Sequence, residues 1–405
     1  MIDSLICRGI VIITIAEIAL SLKQIFKLIR SSQTKSTARL VNDEEFKHMR
    51  AYNIDKLFFN IFSNFLSALK IILIIKLNLI GETYSWIQNY LPNGSSHLHQ
   101  ILLYLIYINV SRIINLPLDI YSIFVIESRH GFNKTSAFVF WSDFFKMTLI
   151  LNLILAPLLK GTLVIIHYFP KVFFWQLWCF FSIFQIMLIV LYPSVIQPLF
   201  NKFTPLPEGD LKTRIQTMAK RINFNASAIL TMDGSKRSGH SNAYFIGLFK
   251  EKRIVLFDTL ITQLENEEIE AVMAHEFGHW YHSHTWMLVT QSLSIQLIYF
   301  YMFNRFLGDG KTVMVSLMEF MFMLSIIDLP LTLFTNIISR FFEKQADMFA
   351  VDMELGNQLS SGLIKITKEN KGNLCPDKWY STLYHSHPTL MERLENIEML
   401  MRKKQ

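Results

Sequence analysis

Cysteine is scarce in this chain: Cys7, Cys179 and Cys375 are spread through 405 residues and form no CxxC pair. That spacing excludes a disulfide framework and a thiolate metal site, and the three read as free thiols. Charge is thin as well. Asp, Glu, Lys and Arg make up 18% of residues against 51% hydrophobic, including 34 Phe, which excludes a string of ordinary soluble domains. No Arg-rich helix or RNA-binding signature is present, so the net charge of +7 calls for no nucleic-acid partner. Lys and Arg collect in the cytosolic loops of membrane proteins and face anionic lipid, which accounts for the excess. The first apolar segment lacks a small-residue cleavage site and reads as a retained helix rather than a removed signal peptide.

What the chain has instead is long uncharged runs and a mean hydropathy of +0.31. Residues 172–201 carry no charge over thirty positions, and 285–304 none over twenty, both long enough to cross a hydrocarbon core. Weaker candidates are 5–22, 57–80, 98–126, 138–168 and 312–339. The predicted class is therefore a polytopic α-helical membrane protein with seven transmembrane helices. Charges fall inside these runs at Glu17, Lys70, Lys76, Arg112, Asp119, Asp143, Lys146, Glu319 and Asp328. Either they pair between helices or they line a water-filled chamber. The segment 23–56 holds eight Lys and Arg, whereas 81–97 holds none and carries the glycosylation pattern Asn93-Gly94-Ser95. The N-terminus is thus expected in the lumen. Alternation through seven spans then puts 202–284 and the tail from Arg340 in the cytosol.

His275-Glu276-Phe277-Gly278-His279 is an HExxH motif. Ile269, Val272 and Met273 upstream keep helical spacing, so His275 and His279 lie one turn apart on one face and can grip one Zn²⁺. Glu276 sits beside the first ligand, placed to take a proton from water without binding metal. A catalytic zinc needs a third protein ligand. A return of the chain through a loop at 308–311 would bring Glu343 beside His279, with Asp347 one turn on to hydrogen-bond the far nitrogen of a ligating histidine. His282 and His284 leave the ligand face and read as interfacial residues. The motif helix is expected to run unbroken into the span at Thr285.

Residues 241–248 and 253–257 read as two strands joined by the turn Lys250-Glu251-Lys252. A free edge at Ser241, Asn242 and Ala243 would let an extended peptide add as a strand beside the zinc.

The segments Gly234-Ser235-Lys236-Arg237-Ser238-Gly239-His240-Ser241-Asn242-Ala243-Tyr244-Phe245, Ile254-Val255-Leu256-Phe257-Asp258-Thr259, the HExxH run and Ser386-His387-Pro388 resemble those of the integral-membrane CAAX prenyl proteases. So do Phe124-Val125-Ile126-Glu127 with His130-Gly131-Phe132-Asn133, Tyr192-Pro193, and the stretch from Pro198 to Gly209. The resemblance implies helices around a hydrophilic intramembrane chamber, a cytosolic zinc domain, and cleavage of farnesylated proteins between the prenyl-cysteine and the last three residues. It places the zinc ligands on His275, His279 and Glu343, the general base on Glu276 and a substrate-gripping side chain on Asn242. His387 and Arg393 correspond to the residues that hold substrate and stabilise the oxyanion. Thr389 stands where a second Pro is usual and Gly239 where Ser or Ala is common.

The expected layout is membrane helices over 1–201, a zinc-protease segment over 202–284, two further helices over 285–339 and a tail over 340–405. Partners are prenylated CAAX substrates and the bilayer, with one zinc per monomeric chain. The terminal Arg402-Lys403-Lys404-Gln405 points to retention in the endoplasmic reticulum, with the inner nuclear membrane as the alternative. The rival readings are a quality-control zinc protease of the same clan, or a transporter or scaffold with structural zinc. An intact Glu276 argues against the latter, since a structural site needs no base.

Overall fold

The apolar runs become long helices, because in lipid each backbone N–H and C=O must find its partner within the segment. The computed structural model describes residues 2–224, 226–247, 252–308 and 312–404. Its first part consists of α1 (Ile2–Arg30), α2 (Asp43–Lys76), a short α3 (Leu79–Tyr90), α4 (Ser96–Tyr121), α5 (Ala137–Tyr168) and α6 (Phe173–Leu191). Five of these, all but α3, are long and apolar enough to cross a membrane. Helix α2 starts well before its apolar run. Asn42 and Glu45 form a reciprocal cap there, with bonds of 2.8 and 2.9 Å, so much of the basic segment 23–56 is helical rather than loop.

The polar middle holds four strands, β1 (Phe203–Pro205), β2 (Ala228–Met232), β3 (Ala243–Ile246) and β4 (Arg253–Phe257). Helix α7 (Asp210–Arg221) lies between β1 and β2, and α8 (Asp258–Gln263) and α9 (Asn266–Tyr281) follow β4. The strand order is β1-β2-β4-β3, with β2 and β4 parallel and β3 antiparallel to β4, Ala243 opposite Leu256. Strand β3 is thus an edge. The two strands pair as expected, but the first is shorter than 241–248, starting at Ala243 after Ser241 and Asn242 and ending at Ile246; Leu248 and the turn residues Lys250 and Glu251 lie outside the described residues.

Two expectations about the second membrane section need correction. The motif helix does not run into the next one: α9 ends at Tyr281, Ser283 takes a left-handed φ of 59°, and α10 (His284–Phe306) starts on a new axis. Nor is 312–339 one straight span. It divides into α11 (Val313–Leu324) and α12 (Asp328–Asp352), bent by 63°. The break precedes Pro330, which has no N–H to give and sits in the opening turn of the helix that follows. The described helices therefore supply five spans, or six if the bent pair crosses as one; α10, with 23 residues, is less apolar than these. The loop residues 309–311 lie outside the described residues.

The charges within the spans mostly meet neutral groups. Lys70 donates to Asn115 at 3.2 Å, and Arg112 to the Thr148 hydroxyl at 3.3 Å while lying over the Phe144 ring. Cavities open among the helices, one of about 460 Å³ walled by α2, α3 and α4.

After α12 come α13 (Gly356–Glu369), α14 (Lys378–Tyr384) and α15 (Leu390–Arg402). This tail folds back onto the middle segment. One buried cluster joins Ile215, Ile254, Leu256, Ile269 and Phe277 to Ala350, Leu359 and Ile397, so the two polar stretches share a core. Ile269, Val272 and Met273 are the buried face of α9, as their spacing predicts.

Candidate metal centre

Helices α9 and α12 pack along their length because Gly278 lets their backbones approach. A Cβ at that position would lie 2.9 Å from Ala346 Cα and 2.9 Å from Phe349 Cβ. That proximity brings Glu343 against the two motif histidines. Glu343 Oε1 lies 3.2 Å from His279 Nε2 and Oε2 lies 3.4 Å from His275 Nε2. The two Nε2 atoms are 3.2 Å apart.

The donor set fits a zinc ion on the structure's own terms. One ligand atom from each of His275, His279 and Glu343 lies within 4.8 Å of the others, and Glu343 Oε2 is buried with no hydrogen-bond donor. Two nitrogens and a carboxylate oxygen, converging from two helices, are a donor set of the kind that holds zinc.

Each imidazole is oriented from behind. His275 Nδ1 lies 2.9 Å from Asp347 Oδ1, and Asp347 in turn takes Arg393 through Nε at 3.0 Å and Nη2 at 2.5 Å. Asp347 is fully buried and Arg393 nearly so. Burial works against charge on this carboxyl, but Arg393 and His275 outweigh it and hold Asp347 below the ordinary carboxylate range. Burial and the Arg393 charge likewise disfavour protonated His275, yet the carboxylates of Asp347 and Glu343 prevail and raise it to about 9. For Glu343 burial is again overcome, by the His275 and His279 imidazoles beside it, and its carboxyl stays well below the usual range. The site is poised for positive charge.

The second imidazole rests on a residue the sequence reading placed elsewhere. His284 is 1% exposed, not interfacial; the left-handed turn at Ser283 swings it under the motif helix. His279 Nδ1 meets His284 Nδ1 at 2.9 Å, and His284 Nε2 meets Gln345 Oε1 at 3.0 Å, while the ring stacks on Phe342 at 4.2 Å. With Gln345 Oε1 accepting from Nε2–H of His284, the Nδ1 of His284 accepts from Nδ1–H of His279. That leaves His279 Nε2 with a free lone pair facing Glu343. Periodicity gives no hint of this, because it depends on a single backbone reversal.

Glu276 faces a cavity of about 530 Å³ together with Asn242, His387 and Arg393. Burial pushes its carboxyl up, an effect that His275 and His279 partly offset. On the opposite wall, Asn370 binds both backbone groups of Ser241: Oδ1 accepts its N–H at 3.1 Å, and Nδ2 donates to its carbonyl at 3.3 Å. Asn370 Oδ1 also lies 3.2 Å from His240 Nδ1, and His240 Nε2 is 3.2 Å from Glu127, at the end of the helical segment Ser122–Glu127 that continues α4. Sequence reasoning offered no signal for Asn370. Asn242 is exposed, with its Oδ1 accepting from Ala243 N–H at 2.9 Å, so its Nδ2 donors remain available; Ala243 is buried at the start of β3.

His387 and Arg393 both come back to the metal centre, but not alike. The His387 ring is 60% exposed, with Nδ1 on the Ser386 hydroxyl at 2.9 Å and Nε2 3.3 Å from Glu343 Oε1. Arg393 is sequestered beneath, its guanidinium spent mainly on Asp347. Thr389, the departure from the usual second proline, caps α15: its hydroxyl accepts from Glu392 N–H and its own N–H donates to Glu392 Oε2 at 2.8 Å. Arg393 follows one turn later.

A buried HExxH helix, a distal glutamate on a second helix and a set of membrane-spanning helices together define a membrane-embedded metallopeptidase. Comparison with known families narrows this. Residues 24–202 match the model described as CAAX prenyl protease N-terminal, five membrane helices, and residues 205–401 match peptidase family M48. The CAAX prenyl protease 1 homolog of Arabidopsis thaliana is 35% identical, over 96% of this chain and 95% of its own length. CAAX prenyl protease 1 of Saccharomyces cerevisiae is 34% identical, over 90% and 88%. The crystal structure of S. mikatae Ste24p superposes with a TM-score of 0.93 at 32% identity, covering 98% of both chains. The chain belongs to the CAAX prenyl proteases of peptidase family M48.

Proposed function

We propose that this protein is a zinc endopeptidase that removes the last three residues of farnesylated CAAX proteins, cutting after the prenyl-cysteine. The observation that carries this reading is the convergence of His275, His279 and Glu343 beside a cavity lined by Glu276 and the start of an edge strand. In this reading His275, His279 and Glu343 hold the ion, and Asp347 and His284 fix the two imidazoles. When bound, zinc supplies a Lewis acid and makes water acidic enough to react near neutral pH. Glu276 accepts the proton of the attacking water on its carboxylate and passes it to the leaving amine. The peptide lies beside Asn242 and Ala243, since Asn370 already takes both backbone groups of Ser241, with the Asn242 Nδ2 donors gripping its backbone. Val272, Leu359, Leu363 and Ile366 line the same cavity and suit the aliphatic side chains of the released tripeptide. His387, exposed and donating from Nε2, is the oxyanion donor. Arg393 orients Asp347 and thereby His275.

Helix α10 is read as a further span beside the bent pair, giving seven around a chamber, with the N-terminus lumenal and the shared core of 202–284 and 340–405 cytosolic. Residence in the endoplasmic reticulum membrane as a monomer completes the reading. The test is a pair of substitutions. Glu276→Ala is expected to keep zinc near one per chain while turnover of a farnesylated peptide disappears, because a base is not a ligand; Glu343→Ala is expected to lose both. Full zinc occupancy in Glu343→Ala, or loss of zinc in Glu276→Ala, would contradict the assignment.

A further inference from the structure

Two segments singled out in the sequence, Asn201-Lys202 and Gly234-Ser235-Lys236-Arg237, take no part in the metal centre. They meet at a second cavity, of about 340 Å³, that shares no lining residue with the one beside His275. One wall is the opening of α5, with Phe138, Asp143 and Lys146; the other is the chain leaving the next span, with Leu199, Phe200 and Lys202. The span Ala137–Tyr168 begins here and the span Phe173–Leu199 ends here, so the cavity sits at the level where helices leave the hydrocarbon for the headgroup layer.

Its charge is unbalanced. Lys146, Lys202, Lys236 and Arg237 face it against Asp143 and Asp233, four cations against two acids. Both acids are already engaged. Asp143 takes Arg237 in two bonds of 2.8 and 3.1 Å, and Asp233 accepts the backbone N–H of Lys202 at 2.8 Å. Lys146 donates to the Leu199 carbonyl at 3.0 Å. The ammonium groups of Lys202 and Lys236 have no partner among the described residues, and Arg237 Nη1 is buried without one. Two exposed ammonium groups without partners, lining one cavity with a guanidinium that has an unpaired nitrogen, suit an anion with several acceptor oxygens. Beside it, Phe138 is 83% exposed and Leu199 49%, an apolar margin at the membrane surface. A phosphate with acyl chains attached meets both requirements.

We propose that this cavity binds the phosphate headgroup of an anionic phospholipid drawn from the surrounding leaflet. Full-length protein in neutral detergent is titrated with dioctanoyl phosphatidic acid, dioctanoyl phosphatidylcholine and inorganic phosphate, and bound adducts are read by native mass spectrometry. Phosphatidic acid is expected to bind most tightly. The Lys202→Gln/Lys236→Gln variant is expected to weaken it roughly tenfold or more, while Lys35→Gln/Lys378→Gln leaves it unchanged. Melting temperatures without lipid confirm that both variants are folded. Equal binding by the two variants would overturn the site. Phosphatidylcholine binding as tightly as phosphatidic acid would overturn recognition of an anion. Inorganic phosphate binding as tightly, with the same sensitivity to Lys202 and Lys236, would assign a soluble anion and overturn the lipid.

Discussion

His387 and Arg393 look equivalent in the sequence, two basic residues six positions apart beyond the third ligand. Their surroundings give them different work. Removing the exposed His387 side chain leaves Glu343 and the imidazoles in place, so His387→Ala should reduce kcat about a hundredfold, the usual scale for one lost oxyanion donor, with metal content and melting temperature unchanged. Arg393→Ala instead strands the fully buried Asp347 without its partner, at a cost of about 3–5 kcal/mol in stability, and frees the His275 ring. Zinc content and melting temperature should both fall. Kinetics, metal analysis and thermal unfolding of the two variants separate these roles; an Arg393→Ala protein with normal stability and zinc would show that Asp347 does not depend on it. The residues legible without a fold were those tied to local geometry. HExxH brings His275, Glu276 and His279 together because one helical turn fixes them. His284 and Asn370 were illegible, since one depends on a left-handed turn at Ser283 and the other on a helix end meeting a strand some 130 positions earlier in the chain.

At the scale of elements, the metal centre is a contact between α9 and α12. Gly278 governs how near they come, and its role is invisible to a motif reading in which that position is an arbitrary x. Gly278→Ala places a methyl group against the Ala346 backbone and Phe349, where nothing flexible can yield. Overpacking of this kind costs about 1–3 kcal/mol, and the helices should part by moving Glu343 away from the histidines. Zinc affinity is expected to fall more than tenfold in a chelator competition titration, although no ligand has been changed. Unaltered affinity would mean that the helix spacing is not set here. The apolar runs were legible as helices from composition alone. Their ends were not: α2 extends to Asp43 through a polar cap, and the break before Pro330 lay inside a stretch that read as one span despite Glu319 and Asp328.

For the whole molecule, the arrangement joins a membrane bundle to one polar core built from two distant stretches of chain. Lys70 and Arg112 meet neutral groups within the bundle, where cavities also open, whereas Asp143 pairs with Arg237. Contact across the junction runs through Glu127, His240 and Asn370 to Ser241 at the start of β3, so the edge strand is tied to the bundle as well as to the sheet. The basic segment 23–56 and the segment 81–97, which holds no Lys or Arg, set the expected orientation. Protease added to sealed microsomes should therefore cut within 202–284 or the tail, and protection of both would reverse the topology. The substrate assignment has its most direct test in mass spectrometry of a farnesylated CAAX peptide incubated with the purified protein, with and without a chelator. The expected product is the peptide shortened by its last three residues, absent under chelation and restored by added zinc. Cleavage at another bond, or cleavage that persists in the chelator, would contradict it.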